Sequence, residues 1–334
     1  MKITSLNRFV DCGLQIMLVL VALLSTTLNA WADRVEVAAN ARSEGIESQN
    51  DAIIIGRGAI INGDLQGHND YIKVDEGARI TGSIKNRNGA IQVADNVQVE
   101  GSIESDNGAI QLDDAIIARA LSSLNGAIKT GRQGKFGYLT NRNGSIVLGE
   151  QSEAREVINR NGGIRVRSGS ITGSVSNRNG RIAIDADVRI SGSVSNRNGD
   201  IVIANANISE DVNNRNGRIE IEDASIGGSI QSFKGIVYTK GSTEVSGDVV
   251  IDLSSVKSSG WLVSRGKTRL EIVLGDETQV LGSVILKLPA SGRSRYEALV
   301  VLGPNASVAG EVRVSEGVET RLSGQVMGGS IILE

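Results

Sequence analysis

The sequence contains few of the residues that most often carry chemistry or cross-links. Its 334 residues include one Cys, one His, two Pro and only 3% aromatic residues. A single Cys cannot form an internal disulfide, and a single His excludes zinc sites that need a histidine pair. Few aromatic side chains leave few platforms on which sugars or bases stack. We therefore expect no metal ion and no cofactor, and the composition gives little support to an enzymatic function.

An excess of charge of one sign is also missing. The 35 Lys and Arg residues nearly balance 38 Asp and Glu, which gives a formal net charge of −3. This balance does not indicate a nucleic-acid partner. The chain is 40% hydrophobic and only 22% charged, so it is not a disordered acidic chain.

The N-terminus has the pattern of a secretory signal. Lys2 and Arg8 precede an apolar run over Leu14–Leu24, and Ala30–Ala32 has the small-x-small form of a cleavage site. The pattern predicts a signal peptide over 1–32 and export to the periplasm or the cell surface. The alternative is a membrane anchor, but the run is shorter than the roughly 20 apolar residues of a span. We expect no transmembrane span in the mature chain.

A short repeat organises most of the chain. The tetrapeptide Asn-Arg-Asn-Gly occurs six times, and related copies fill the gaps so that the motif recurs every 18 or 19 residues. The six copies end at Gly89, Gly144, Gly162, Gly180, Gly199 and Gly217. A fixed period of this length is typical of solenoid proteins.

Apolar residues alternate within each repeat. Ile53 and Ile55 follow one motif, Ile182 and Ile184 follow another, and a second alternating group runs over Ala78–Ile84. Period two with β-branched residues predicts short strands with one buried face. A repeat with three short strand sides predicts one turn of an all-β, single-stranded parallel β-helix, in which successive turns lie about 4.8 Å apart. A meander of hairpins is the alternative, because Asn-Gly also favours two-residue turns.

An Asn precedes the glycine position in ten successive repeats. Stacked turn on turn, these side-chain amides can donate and accept hydrogen bonds along the axis, and Asn also tolerates the left-handed backbone of a sharp corner. We predict a structural asparagine ladder in which the Asn residues take up that corner. Its members are Asn50, Asn69, Asn88, Asn107, Asn125, Asn143, Asn161, Asn179, Asn198 and Asn216.

These motifs carry a family resemblance. Repeats such as Gly192–Ile203 resemble the adhesin-type β-helix domains of bacterial cell-envelope proteins. The turns Gly82-Ser83-Ile84 and Gly228-Ser229-Ile230 also resemble bactofilins, which are polymer-forming cytoskeletal proteins. The resemblance covers 45–250 closely and 270–334 loosely. It implies a right-handed β-helix, no cofactor and, for bactofilins, end-to-end polymerisation. Export departs from bactofilins, and the spacing also suits a left-handed helix.

The pattern divides the mature chain into two parts. We predict a regular β-helix over 33–251, then a looser continuation and C-terminal cap over 252–334 that begins with a polar interruption around Trp261. Leu288–Tyr296 is predicted to protrude as a loop. The terminal strand over Gly329–Glu334 exposes unpaired backbone groups, which favours self-association end to end, unless neighbouring loops cap this edge.

One outward column is rich in arginine. The residue two places before each motif glycine is predicted to point outward, and five successive repeats carry Arg there: Arg142, Arg160, Arg178, Arg197 and Arg215. Neighbouring arginines about 5 Å apart repel each other by only about 0.8 kcal/mol in water. Because this spacing is below the roughly 8 Å screening length, the row of arginines keeps a positive local potential. These arginines are candidates to bind acidic polysaccharide or lipopolysaccharide phosphate. The alternative is a solvated face. His68 shares the column and is predicted to be a surface residue.

Acidic side chains supply the weakest candidates. Asp113 lies beside Asp114, and Asp185 lies near Asp187, but each pair follows a strand, where turn acids are common. Many parallel β-helices act on polysaccharides, so a carbohydrate-active enzyme is an alternative by fold analogy. Regular 18-residue turns leave little room for the loops of a substrate groove. We expect no catalytic residue and a non-enzymatic, exported protein with a structural, adhesin-like or polymer-forming role in the bacterial envelope. Anion docking is the first alternative.

Overall fold

A computed structural model describes residues 34–256 and 267–333. The predicted signal peptide and the segment around Trp261 lie outside the described residues. All 37 strands belong to one sheet with parallel pairing, which coils into a β-helix of about 16 turns. The prediction of an all-β parallel β-helix is therefore confirmed. Within the described ranges the helical structure is a 3-10 turn at Arg293–Arg295, and no helix there is long and apolar enough to cross a membrane.

Each turn contributes strands to three faces. The first face, which follows the motif glycine, contains β1 Arg34–Val37, β3 Ala52–Ile55, β5 Ile72–Val74, β8 Ile91–Val93, β10 Ile110–Leu112, β12 Ile128–Lys129, β14 Ile146–Leu148, β16 Ile164–Val166, β19 Ile182–Ile184, β22 Ile201–Ala204, β29 Thr268–Leu274, β32 Tyr296–Leu302 and β35 Glu319–Leu322. The second face contains β6 Arg79–Ile80, β17 Gly169–Ile171, β20 Val188–Ile190, β23 Asn207–Ile208, β25 Ser225–Ile226, β27 Glu244–Val245, β30 Gln279–Val280, β33 Ser307–Val308 and β36 Gln325–Val326. The third face contains β7 Ile84–Asn86, β18 Val175–Asn179, β21 Val194–Asn198, β28 Val249–Asp252, β31 Val284–Lys287, β34 Val312–Ser315 and β37 Ser330–Leu333.

The remaining strands run through a corner and serve two faces. Six of them join the second face to the third: β2 Arg42–Ser48, β4 Ile60–Gly67, β9 Gln98–Ser105, β11 Ile117–Ser123, β13 Lys135–Asn141 and β15 Ser152–Asn161. Two join the third face to the first, namely β24 Val212–Glu222 and β26 Ile230–Lys240. In these last two strands the repeat motif itself is extended strand.

The core is a set of stacked, identical side chains. Ile53 pairs with Ile72, which pairs with Ile91, and the same alignment continues through the first face. These three side chains are fully buried. Burial of an aliphatic side chain of this size contributes about 1.5–3 kcal/mol, so the alternating pattern that predicts the strands also supplies their main stabilisation.

The left-handed backbone lies elsewhere than predicted. None of the ten ladder asparagines in the described chain has a positive φ, so the expectation that they take up a left-handed corner was wrong. The glycine that follows them does so in later turns, as in Gly180 with φ 116°. A second corner, before the second face, carries one left-handed residue in nearly every turn. It is formed by Asn40, Gly58, Gly77, Asn96, Ala115, Gln133, Gln151, Asp187, Asn205, Asp223, Gly241 and Glu277.

The C-terminal part continues the same three faces. Val237 pairs with Ile272, which pairs with Val300, so the first face keeps its alignment where the motif is lost. The region predicted as a protruding loop, Leu288–Tyr296, contains the 3-10 turn, and Pro289 in it is buried.

Candidate functional site

The ten ladder asparagines stand in one column at the corner between the third and first faces. Nine side-chain hydrogen bonds of 2.7–2.9 Å join them, each from the Nδ2 of one turn to the Oδ1 of the turn before. Asn69 donates to Asn50 at one end, and Asn216 donates to Asn198 at the other. The ladder ties the backbone of successive turns together at this corner.

A second polar column, which the sequence analysis missed, lies inside the helix. The first Asn of the tetrapeptide is buried, and its Nδ2 donates to a carbonyl of the preceding turn, as from Asn177 to Gly162 at 2.9 Å. The alternation held the signal, because Asn177 follows the inward Val175 by two places. We call this the inner column; it contains Ser48, Asn86, Ser105, Ser123, Asn141, Asn159, Asn177, Asn196, Asn214 and Ser232.

The five predicted arginines lie between these two asparagine columns. Arg160 is flanked by Asn159, which pairs with Asn177 of the next turn, and by Asn161, which pairs with Asn179. Both flanking positions are thus fixed by backbone pairing and side-chain amides. All five side chains are exposed, on successive turns about 4.8 Å apart. We call Arg142, Arg160, Arg178, Arg197 and Arg215 the arginine column.

Among the described residues, the arginine column carries no paired negative charge. Several opposite charges elsewhere do pair across successive turns, as in Arg57–Glu76 at 2.8 Å and Lys85–Glu104 at 3.8 Å. Within 34–256 and 267–333, none of the five arginines forms an ion pair with Asp or Glu. Uncompensated charges closer than the screening length add their potentials. The column is therefore a continuous positive strip.

The column ends in an aromatic residue beside an open depression. The Arg215 guanidinium lies 5.6 Å from the centre of the Phe233 ring, within the range of a cation–π contact. The depression has a volume of about 310 Å³ and follows the outward side of the third face. Its lining includes Ser195, Asn213, Arg215, Gln231, Phe233 and Asp252.

The acidic candidates occupy structural positions. Asp114 accepts hydrogen bonds from the Arg132 backbone at 2.7 Å and from its Nε at 2.9 Å, and these bonds lower the pKa of Asp114. Asp185 accepts from Arg165 at 2.7 Å. Asp113 and Asp185 are four turns apart, or roughly 19 Å at about 4.8 Å per turn. Paired carboxylates of glycosidases lie within about 10 Å of each other, so the two pairs are not brought together.

Two smaller points complete the candidate residues. His68 is half-buried rather than fully exposed, and its Nδ1 lies 3.3 Å from the carbonyl oxygen of Ser48. Among the residues that the structure describes, no group of three or more His, Cys, Asp and Glu side chains could hold a metal ion. Comparison of the chain with family models, curated proteins and solved structures gave no match.

Proposed function

We propose that this protein is an exported, non-enzymatic component of a bacterial cell envelope with a structural, adhesin-like role, and that its β-helix assembles end to end into a polymer. The carrying observation is the complementarity of the first and last turns, in strand register and in charge. The N-terminal pattern supports export, and the arginine partners of Asp114 and Asp185 support a structural role for the acidic residues.

The last turn offers a strand edge. Within the described chain, β35, β36 and β37 each pair with one earlier strand, namely β32, β33 and β34. Met327 and Ile331 are 72% and 40% exposed, so apolar surface accompanies the edge. A strand edge with unpaired backbone groups can add a further strand from another chain.

The first turn fits this edge in register. The amide of Gly56 donates to the carbonyl of Val37 at 2.8 Å, which aligns Val37 with Ile55, as Ile55 is aligned with Val74. At the other end, Leu302 aligns with Leu322. If a second copy adds its first turn in the same register, its Val37 stacks on Leu322.

The same register brings opposite charges together. Counting back from Val37 and Leu322, Arg34 of one copy meets Glu319 of the other, and Glu36 meets Arg321. A single register of the two chains therefore brings both pairs of opposite charges together. Exposed ion pairs are worth up to about 1 kcal/mol each, enough to select the register, while backbone pairing and apolar contact provide the association.

A charge swap tests the assembly. Glu319 and Arg321 already pair within the chain at 2.7 Å, so E319R/R321E keeps that internal pair while reversing both contacts with the next copy. We expect wild-type filaments in negative-stain microscopy and a high light-scattering mass, and short particles for the swap or after deletion of Ile331–Glu334. Adding R34E/E36R to the E319R/R321E chain should restore filaments. Monodisperse wild-type protein, or a swap without effect, would overturn end-to-end assembly.

Export is tested separately. Edman sequencing of the protein recovered from fractionated cells should give a chain that begins at Asp33 in the periplasmic or surface fraction. A chain that keeps its first 32 residues and stays with the cytoplasm would contradict the proposed location, and it would leave the assembly result unaffected.

A further inference from the structure

We propose that the arginine column and the adjoining depression at Phe233 form one binding surface for a linear acidic polysaccharide. The surface lies on the side of the β-helix, away from the terminal turns, so it adds a ligand-binding function to the proposed assembly. Each turn would contribute one guanidinium to the carboxylates of the polymer, and the depression would hold one sugar ring at the end of the column.

The arrangement of charge favours a polymer over a small anion. The five guanidiniums follow one line with one arginine per turn, and they span about 19 Å from first to last at roughly 4.8 Å per turn. A single small anion would contact at most two of them. A chain with repeating negative groups can contact all five, and guanidinium groups match carboxylates in bidentate geometry.

The neighbouring column leaves room for such a chain. Two residues before each arginine and before Phe233, on the same outward side, short or polar side chains predominate, and none carries a negative charge that would compete for the arginines. Backbone pairing aligns them turn by turn as Thr140, Ile158, Ser176, Ser195, Asn213 and Gln231. Hydroxyl and amide groups of this kind can hydrogen-bond sugar hydroxyls.

The two ends of the column differ. Asp106, two turns before Arg142, places a negative charge in the same outward position, so the positive strip stops on that side. On the other side Phe233 follows Arg215 and lines the depression together with Gln231 and Asp252, and the Asp252 carboxylate lies 3.8 Å from the Lys287 ammonium. An aromatic ring offers an apolar face to the carbon–hydrogen face of a sugar, while Arg215 remains close enough to bind its carboxylate.

The same features argue against a nucleic acid. Single-stranded nucleic acids are bound with several aromatic platforms on which successive bases stack, whereas Phe233 is the aromatic residue in the lining of this depression.

Binding of a fluorescent oligouronate of about ten sugars tests the proposal on the purified full chain. The variant R160Q/R178Q/R197Q removes three members of the arginine column. The matched control R119Q/R167Q/R189Q removes three exposed arginines outside the column, so the change in net charge is identical. We expect affinity to fall at least about tenfold in the first variant, because removal of even one charge-assisted hydrogen bond weakens binding by about that factor. The control should stay within about twofold.

Further probes fix the ligand class and the role of the depression. F233A should weaken oligouronate binding with no change in the slope of affinity against salt, whereas the triple column variant should make that slope shallower. Neutral dextran should not bind. Equal loss in the column variant and its control would overturn the site. Tighter, column-dependent binding of polyphosphate or of a single-stranded oligonucleotide would overturn the assignment to an acidic polysaccharide.

Discussion

At the scale of the residue, the two asparagine columns make different contributions to stability. Asn177 is buried and donates to the Gly162 carbonyl, so Asn177→Ala leaves that carbonyl without this donor and should cost about 1–3 kcal/mol. Asn179 of the outer ladder is only half-buried, and water can replace its amide, so Asn179→Ala should cost about 0.5–1.5 kcal/mol. Urea unfolding of both variants measures the difference. An equal or reversed order would contradict the role given to the inner column.

The acidic corner at Asp114 predicts a pH dependence. Arg132 lowers the folded-state pKa of Asp114, so the stability that this carboxylate contributes is present above its unfolded pKa of about 4 and is lost as the pH falls through the folded value. Asp114→Asn should therefore lower the melting temperature at neutral pH and have little effect near pH 2. Thermal unfolding followed by circular dichroism across this range is the measurement.

Asp113 supplies the matched variant with the opposite sign. Partial burial, followed by the charges of Asp95 and Asp114, raises the folded-state pKa of Asp113, and Lys129 opposes the shift. Its contribution is thus present below the unfolded pKa and is lost as the pH rises through the folded value. Asp113→Asn should raise the melting temperature at neutral pH. A decrease there would show that the ionised carboxylate makes a stabilising contact instead.

The roles of individual residues could be predicted from the sequence only at positions where the same residue type recurs from repeat to repeat. The position of the outer ladder follows from counting, because one Asn precedes each motif glycine. Prediction of the inner column would have required extending the inward–outward alternation of the strand into the motif, since Asn177 continues the inward series of Val175. The absence of ion pairs around the arginine column could not be read from the sequence, because it depends on which charges neighbour each other on successive turns.

At the scale of the element, the corner after the third face depends on glycine. Gly180 has φ 116°, and a Cβ there would lie 2.4 Å from the carbonyl oxygen of Gly162. Gly180→Ala should cost about 3 kcal/mol or more, since backbone strain and a clash with backbone combine. Gly77 is the control: its φ is 70°, a Cβ there would have no atom within 4 Å other than those of Gly77 and its chain neighbours, and Ala115 occupies the equivalent corner. Gly77→Ala should cost only about 1–2 kcal/mol.

The comparison is read from unfolding midpoints of the two alanine variants. Similar costs would mean that the left-handed backbone, and not the close approach of successive turns, makes glycine necessary at the motif.

The strand limits reflect the same geometry. The sequence predicts a sharp corner at each motif, but β24 and β26 run through it, because backbone pairing between Asn216 and Lys234 continues across the corner.

At the scale of the whole molecule, the fold follows from local periodicity, whereas its use does not. Apolar side chains two residues apart, in three groups per period, determine which side of every strand is buried, and stacking identical turns is the arrangement that pairs all of them. The binding properties of the ends and sides of the β-helix depend on residues that break the repeat, such as Phe233, which follows the arginine column. The length of the repeat does not indicate which ligand or protein such residues would contact.

A repeat whose turns contact only their neighbours should tolerate the loss of one whole turn. Deletion of Gly163–Gly180 removes 18 residues and joins Gly162 to Arg181, so Ile182 takes the place of Ile164, with which it already pairs. Because stability in solenoids is close to a sum over repeats and their interfaces, we expect a folded, slightly less stable protein that is shorter by about 4.8 Å. Circular dichroism and small-angle scattering measure both. Deletion of nine residues, 163–171, is the control, because half a turn places inward side chains on the wrong face and should prevent folding. If both deletions unfold the chain, the β-helix depends on contacts beyond neighbouring turns.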